Sequence, residues 1–498
     1  MSTYIVTAAF PFIPAELCTA HMASTYLPAD IYARYLRMTG EKVSYVCSTD
    51  VHGVWVKREL SKRGISHEDL IEEWDSTYKK QFEAFNIQFD YYDRTDSPRL
   101  RKLVKDSLIA LKAEGKLKQN VVECFRCDSC KEYLPKRFMV TTDRISSTGK
   151  MKVGDSEEHR YACGYCGSDS ISKEENQNWF VRLSSEDYTL KTFAQSQNLN
   201  SVKNYLLSTI NQGVNDWDIT RKNYVGIDIP FSDGDQYVYL WYESLLGYID
   251  LAQTVAPNKG IKYRHFFGKN ILYYHGIIWP YILEHASDLE PSDTQLFPRG
   301  FLNIERTDKR LIDIIQSTET YEADYLRAFF ASETPDSFSD FSFRFDAFEN
   351  FVNKTICNKF GFFFAHCAKL LEQHNIQSTP SDYQEFELIS EFKARINKSM
   401  HGMYIRQAFK DVQEYIKKCS AYISTNKLHQ SEKLEDQYVI MDIYLNGLHF
   451  LAPFMPKIIN DYNIFVGLDV HSQKPLSSIA NTKIDYNVKR WEKISWYE

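Results

Sequence analysis

Two Cys-x2-Cys pairs carry the most specific chemical signal in this sequence. Cys127 and Cys130 form one pair, Cys163 and Cys166 the other, with residues 131–162 between them. Four thiolates at that spacing close a tetrahedral shell, and all-cysteine shells hold a structural zinc ion. Cys124 also stands in a Cys-x2-Cys relation to Cys127, so it lies either outside the shell or in place of a neighbour. Reduced, metal-free cysteines are the alternative. A second group lies near the N-terminus. Cys18 and His21 fall where a helix begins, and a helix N-terminus lowers a thiol pKa. Cys18 is therefore a candidate to hold an acyl group, against the plainer reading of a small buried filler. Asp50 and His52 follow an apolar run, and groups of that polarity are seldom buried without a task.

The elements that position these groups are legible around them. Tyr4–Ala8 reads as a short apolar strand, followed by an irregular turn holding Pro11 and Pro14. Met22, Tyr26, Leu27, Ile31, Tyr35 and Leu36 recur at helical spacing, and Gly40 stops the helix. Val43–Cys47 reads as a second strand ending in Ser48, Thr49, Asp50 and His52. This is a βαβ unit, and such sheets bind ligands at the carboxyl ends of their strands. Residues 9–12, His21 and Asp50 are expected to face one crevice. Further on, residues 54–116 read as helices around a strand at Ile87–Tyr92. Helical periodicity dominates from residue 344, in three long amphipathic helices.

Composition excludes some classes. At 498 residues the chain is long enough for several structural units. Apolar residues at 43% and charged residues at 25% are ordinary for a globular protein. The net charge of −7 gives no global attraction to nucleic acid, though a local basic face is compatible with it. No leader segment and no membrane-length apolar run is evident, so a cytoplasmic location is expected and the ten cysteines read as metal ligands or buried thiols.

Along its whole length the chain resembles methionyl-tRNA synthetases, which are class I aminoacyl-tRNA synthetases. AFPFIPAELCTAH, RYLRMTG and TDVHG resemble, in the same spacing, the family's ALPYANGxIHLGH, RYxRMxG and DxHG. EYLPKRF, NWFVRL and NDWDITR follow, then QYVYLWYESLLGYI, HFFGKNILYYHGIIWPYIL and LAPFMPK. The resemblance implies an α/β fold: a Rossmann-like catalytic domain with a zinc-knuckle insertion, followed by an all-α bundle. The implied divisions are 1–116 for the first catalytic half, 117–225 for the insertion and 226–300 for the second half. Residues 301–343 would form the lysine-loop and stem-contact region, and 344–498 the anticodon-binding-like bundle. It further implies an amino-acid pocket of Phe10, Phe12, Asp50, Trp241, Ser244, Leu245, Tyr248 and His275, with Asp50 on the substrate ammonium. Aromatic rings around a flexible thioether are physically apt, because sulfur contacts ring edges favourably.

The signatures that handle ATP are altered. The two-histidine signature reads Cys18-Thr19-Ala20-His21, so its first histidine and its glycine are gone. The lysine loop reads Arg306-Thr307-Asp308-Lys309-Arg310 and keeps only its second lysine. Forming an acyl-adenylate piles negative charge on phosphate oxygens, which cationic groups and usually magnesium must meet. His21, Lys309 and Arg306 are the groups left to do so, and one lost donor removes about 2–4 kcal/mol of transition-state stabilisation. Ala20 and Pro14-Ala15 crowd the place where ATP approaches the backbone. The anticodon-reading pair falls on Phe362 and His366, and the later tryptophan position near His429. The expectation is a ligase that activates methionine or a close analogue with ATP and magnesium. Its acceptor is other than standard methionine tRNA, such as a small molecule or a peptide amine. The alternatives are a divergent methionine–tRNA ligase, a catalytically dead amino-acid sensor, and an acyl-transfer enzyme that no longer uses ATP.

Overall fold

The computed structural model describes residues 2–134, 138–141, 161–232, 234–257, 260–286, 293–304, 313–376, 380 and 383–460. Five parallel strands form the central sheet. Their order across it is Gln295–Arg299, Ile261–Gly268, Thr3–Ala8, Val43–Thr49, Tyr91–Arg94. Thr3–Ala8 is buried throughout, as a strand covered on both faces must be. It pairs on one side with Val43–Thr49 (Tyr4 beside Val43) and on the other with Ile261–Gly268 (Ala8 beside Phe266). Strand order therefore reverses at Thr3–Ala8, and a crevice opens beyond its carboxyl end, the usual ligand site of such sheets.

The expected strand at Ile87–Tyr92 is displaced to Tyr91–Arg94. Asn86 has a positive φ of 54°, and the Gln88 N–H donates to Asp30 at 3.1 Å, so residues 86–88 are drawn out of the ladder. Of the three long C-terminal helices expected, the second is two: Glu387–His401 and Ile405–Thr425, broken where Met403 turns to φ 64°.

From the sheet a long antiparallel hairpin projects, Leu117–Cys127 against Ile171–Val181, paired over all eleven positions. Its tip carries the cysteine knuckles. Helices from Phe345 onward make the C-terminal bundle, and a buried polar knot ties them to the catalytic sheet. Arg327, fully buried on helix Ala323–Glu333, donates to Asp30 at 2.7 Å, to the Phe85 carbonyl at 3.0 Å and to the Pro453 carbonyl at 3.0 Å. Arg34 donates to the same Asp30 at 2.7 Å, and the Ile458 N–H donates to Asp324 at 2.7 Å. The LAPFMPK segment is thus a dock for the catalytic domain's buried charges.

Candidate functional site

Asp50 ends the second strand. Its backbone is stitched to the turn after the first strand: its N–H donates to the Pro11 carbonyl at 2.8 Å and its carbonyl accepts from the Ile13 N–H at 3.0 Å. Its carboxylate is 4% exposed and accepts the Ser244 hydroxyl at 2.8 and 2.9 Å to its two oxygens. Burial pushes this carboxyl well above the usual range, the nearby Glu243 carboxylate pushes further, and the Ser244 hydrogen bond pulls back. Glu243 is fully buried. Its Oε1 meets His52 Nδ1 at 2.8 Å, while its Oε2 has no hydrogen-bond partner. The floor of the crevice is therefore acidic and holds no cationic side chain against Asp50.

Aromatic walls close around it. Phe10 and Tyr248 lie 4.3 Å apart between ring centres, and a Cβ on Gly247 would come within 2.8 Å of the Phe10 ring. His275 sits in a π-helical turn, Tyr274–Ile278, that follows the fourth strand; such turns concentrate at functional sites. Burial lowers its pKa to about 4, so the ring is neutral. Its Nδ1–H then donates to the Ile271 carbonyl at 3.2 Å, and its Nε2 accepts from the Tyr248 hydroxyl at 3.4 Å. Leu245 is buried behind Ser244. Trp241 is half-buried and stacks flat on Tyr274 at 4.7 Å. Phe12 differs from expectation. Its side chain is 45% exposed, because the chain turns there: the Ala15 N–H donates back to the Phe12 carbonyl, and Tyr78 Oη donates to the carbonyls of both Phe12 and Ala15. It lies at the rim of the crevice, not in a buried wall.

The expected helix begins at Thr19 and runs to Met38, with a π turn at Met22–Tyr26. Cys18 caps it. His21 Nδ1 accepts the Cys18 backbone N–H at 3.0 Å and lies 3.2 Å from Cys18 Sγ. Cys18 is half-buried and His21 exposed, so the thiol is not the buried filler that the plainer reading supposed. Burial raises the thiol pKa, but the hydrogen bond and charge of His21 outweigh that and leave it lowered. This helix start packs against strand Leu302–Ile304, which leads toward the loop. Arg306 and Lys309 lie outside the described residues.

The four knuckle cysteines converge. Cys127 and Cys166 sulfurs lie 3.5 Å apart, Cys130 and Cys163 sulfurs 3.7 Å, and all four fall within 4.8 Å of one another. A tetrahedral zinc with bonds of about 2.3 Å places its sulfurs about 3.8 Å apart, so the donor set fits. Cys124 is outside this group, paired in the hairpin beside Glu174. The knuckle leans on helix Val54–Arg63: Lys57 pairs with Glu132 at 3.2 Å, and Arg58 sits 3.8 Å above the Tyr165 ring.

At the bundle tip, Phe362 and His366 lie 5.7 Å apart and His366 and His429 6.4 Å apart, so the aligned positions do come together. Phe363 and Phe364 are bundle core, but Phe362 is 65% exposed.

Sequence reasoning missed His52, Glu243 and Arg327. A DxH pair after a strand and an acid beside Ser244 were the available signals; nothing local marked Arg327.

A reversed parallel sheet, a switch-point crevice and a knuckled hairpin inserted between two catalytic halves define the class I synthetase architecture. The family model described as tRNA synthetases class I (M) matches residues 4–368, and the chain belongs to that family. Among its relatives, the methionine–tRNA ligase of Methanocaldococcus jannaschii is 27% identical over 91% of this chain and 74% of that protein. The methionine–tRNA ligase of Methanococcus maripaludis is 28% identical over 79% of this chain and 62% of its own length. The fold matches Mycobacterium tuberculosis methionyl-tRNA synthetase in complex with methionyl-adenylate, with a TM-score of 0.75, 18% identity and 96% of each chain covered. The free form of that enzyme matches with a TM-score of 0.73, 18% identity and 99% of each chain covered. Among the described residues, no helix is long and apolar enough to cross a membrane.

Proposed function

We propose that this protein activates methionine or a close analogue with ATP as an acyl-adenylate, and passes the acyl group to an acceptor other than standard methionine tRNA. The observation that carries the first half is the crevice itself: a buried, uncompensated Asp50 for an ammonium group, ringed by Phe10, Tyr248 and His275 for an apolar side chain. Family membership supplies the reaction class. His21, Arg306 and Lys309 are the groups assigned to the phosphates, with magnesium. Cys127, Cys130, Cys163 and Cys166 would hold a zinc ion, which would fix the hairpin tip and take no part in the reaction. The acceptor reading rests on Phe362 and His366, which offer a phenyl ring and an imidazole in place of the groups that read base edges.

A divergent methionine–tRNA ligase is the second reading. Its support is the printed function of the relatives and the exposed Phe362, whose ring is free to stack on a base. The deciding experiment is amino-acid-dependent exchange of pyrophosphate into ATP, without tRNA, on wild type and Lys309→Ala. Methionine-dependent exchange that collapses in the variant is expected. Binding of methionine with no exchange would leave a sensor, or an acyl-transfer enzyme that no longer uses ATP. Charging of methionine tRNA, with steeply salt-dependent binding, would establish the second reading.

A further inference from the structure

We propose that Cys18 is itself an acyl acceptor, taking the aminoacyl group from the adenylate as a thioester before the final acceptor receives it. The inference rests on the adenylation reading and names the next step at the same site.

Three observations converge. Cys18 Sγ lies 3.2 Å from His21 Nδ1, within reach for proton transfer, at the N-terminus of a helix that runs on to Met38. The pair is open: His21 is exposed and Cys18 half-exposed, whereas Cys47, Cys367 and Cys419 are buried. Cys18 and Asp50 also flank one crevice, because the segment that leads to Cys18 is sewn to the Asp50 backbone at Pro11 and Ile13. The floor of that crevice independently points to a ligand. Glu243 is fully buried and its Oε2 has no partner, next to an Asp50 that meets no cation. An ammonium group bound there puts the adjacent carboxyl carbon toward the mouth, where the helix starts.

The step balances without any further reactant. The Cys18 thiol proton passes to His21 Nδ1 as Sγ attacks the acyl carbon. The bond from that carbon to the phosphate oxygen breaks, and its electron pair leaves with AMP. His21 then releases its proton to solvent. When an amine acceptor attacks the thioester, the C–S bond breaks, the electron pair returns to Sγ, and the proton lost by the amine restores the thiol. A thiolate held by an imidazole at a helix N-terminus is the arrangement that makes cysteine nucleophilic near neutral pH.

The test uses the whole protein with ATP, magnesium and methionine, quenched in acid and read by intact mass and peptide mapping. The expected result is one methionyl group on the Cys18 peptide, removed by neutral hydroxylamine, and at least a tenfold loss of adduct in Cys18→Ala. A second arm supplies synthetic methionyl-adenylate without ATP. Pyrophosphate exchange without any adduct would overturn the thioester and leave adenylation standing. No exchange, but Cys18 acylation by the supplied adenylate, would overturn adenylation and keep the thioester. Adduct on another residue, or none in either arm, would overturn the Cys18 assignment.

Discussion

The two sides of the crevice are built differently. On the amino-acid side every group is buried and interlocked: Ser244 on Asp50, Tyr248 on His275, Phe10 against Gly247. On the helix-start side the groups are open, and Cys18 and His21 hold chiefly to one another. Close-packed interiors resist change because each substitution disturbs several neighbours, whereas exposed groups are replaced at little cost to the fold. Selection of the amino acid is thus secured by packing, and handling of the acyl-phosphate group is the side free to be rewritten.

The largest effect should come from the floor. Asp50→Ala is expected to weaken methionine binding by about 2–5 kcal/mol, the usual consequence of truncating one partner of a buried charged pair. Calorimetry measures it, and an unchanged affinity would break the contrast between the two sides. His21→Ala acts on the other side. Exchange kcat should fall roughly 10²-fold, with KM for methionine little changed, since a donor to developing charge is removed and no pocket wall is touched. A rise in KM of the same size would mean the two sides are one unit. Gly247→Ala sharpens the packing claim: its Cβ would press on Phe10 from 2.8 Å. Overpacking costs about 1–3 kcal/mol, read as a raised KM with kcat nearly intact.

The smallest effect is protonic. The raised Asp50 pKa means the free, folded protein holds a proton there that the unfolded chain would have lost. This contribution to stability is fully present below the unfolded carboxyl pKa and is lost as pH rises through the folded value. Binding an ammonium needs the ionised carboxylate, so methionine binding between those two pH values should expel up to about one proton. Calorimetry in two buffers of different ionisation enthalpy reports it, and Asp50→Asn should abolish the buffer dependence.

Much of this was legible in the sequence because motifs record local backbone geometry. The Asp50–Ser244 contact, the knuckle and the helix start all lie within short, framed segments. What stayed hidden was set by distant partners. Gln88 leaves the strand for Asp30, and Phe12 is turned outward by Tyr78. Glu243 finds His52 across 191 positions, and Met403 breaks a helix whose periodicity continues on both sides. Phe362 belongs to an apolar run yet lies outside the core, because a helix three turns long buries only one face.

Arg327 sets a limit on how the protein could shrink. Its guanidinium is bonded at once to the catalytic helix through Asp30 and to the carbonyl of Pro453 at the far end of the bundle. Deleting the bundle would strip that arginine of partners inside a dry interior, and the catalytic half would inherit an unpaired charge. A lineage that gave up reading RNA could therefore discard the letters at the bundle's tip one by one, but it could not discard the page they were written on.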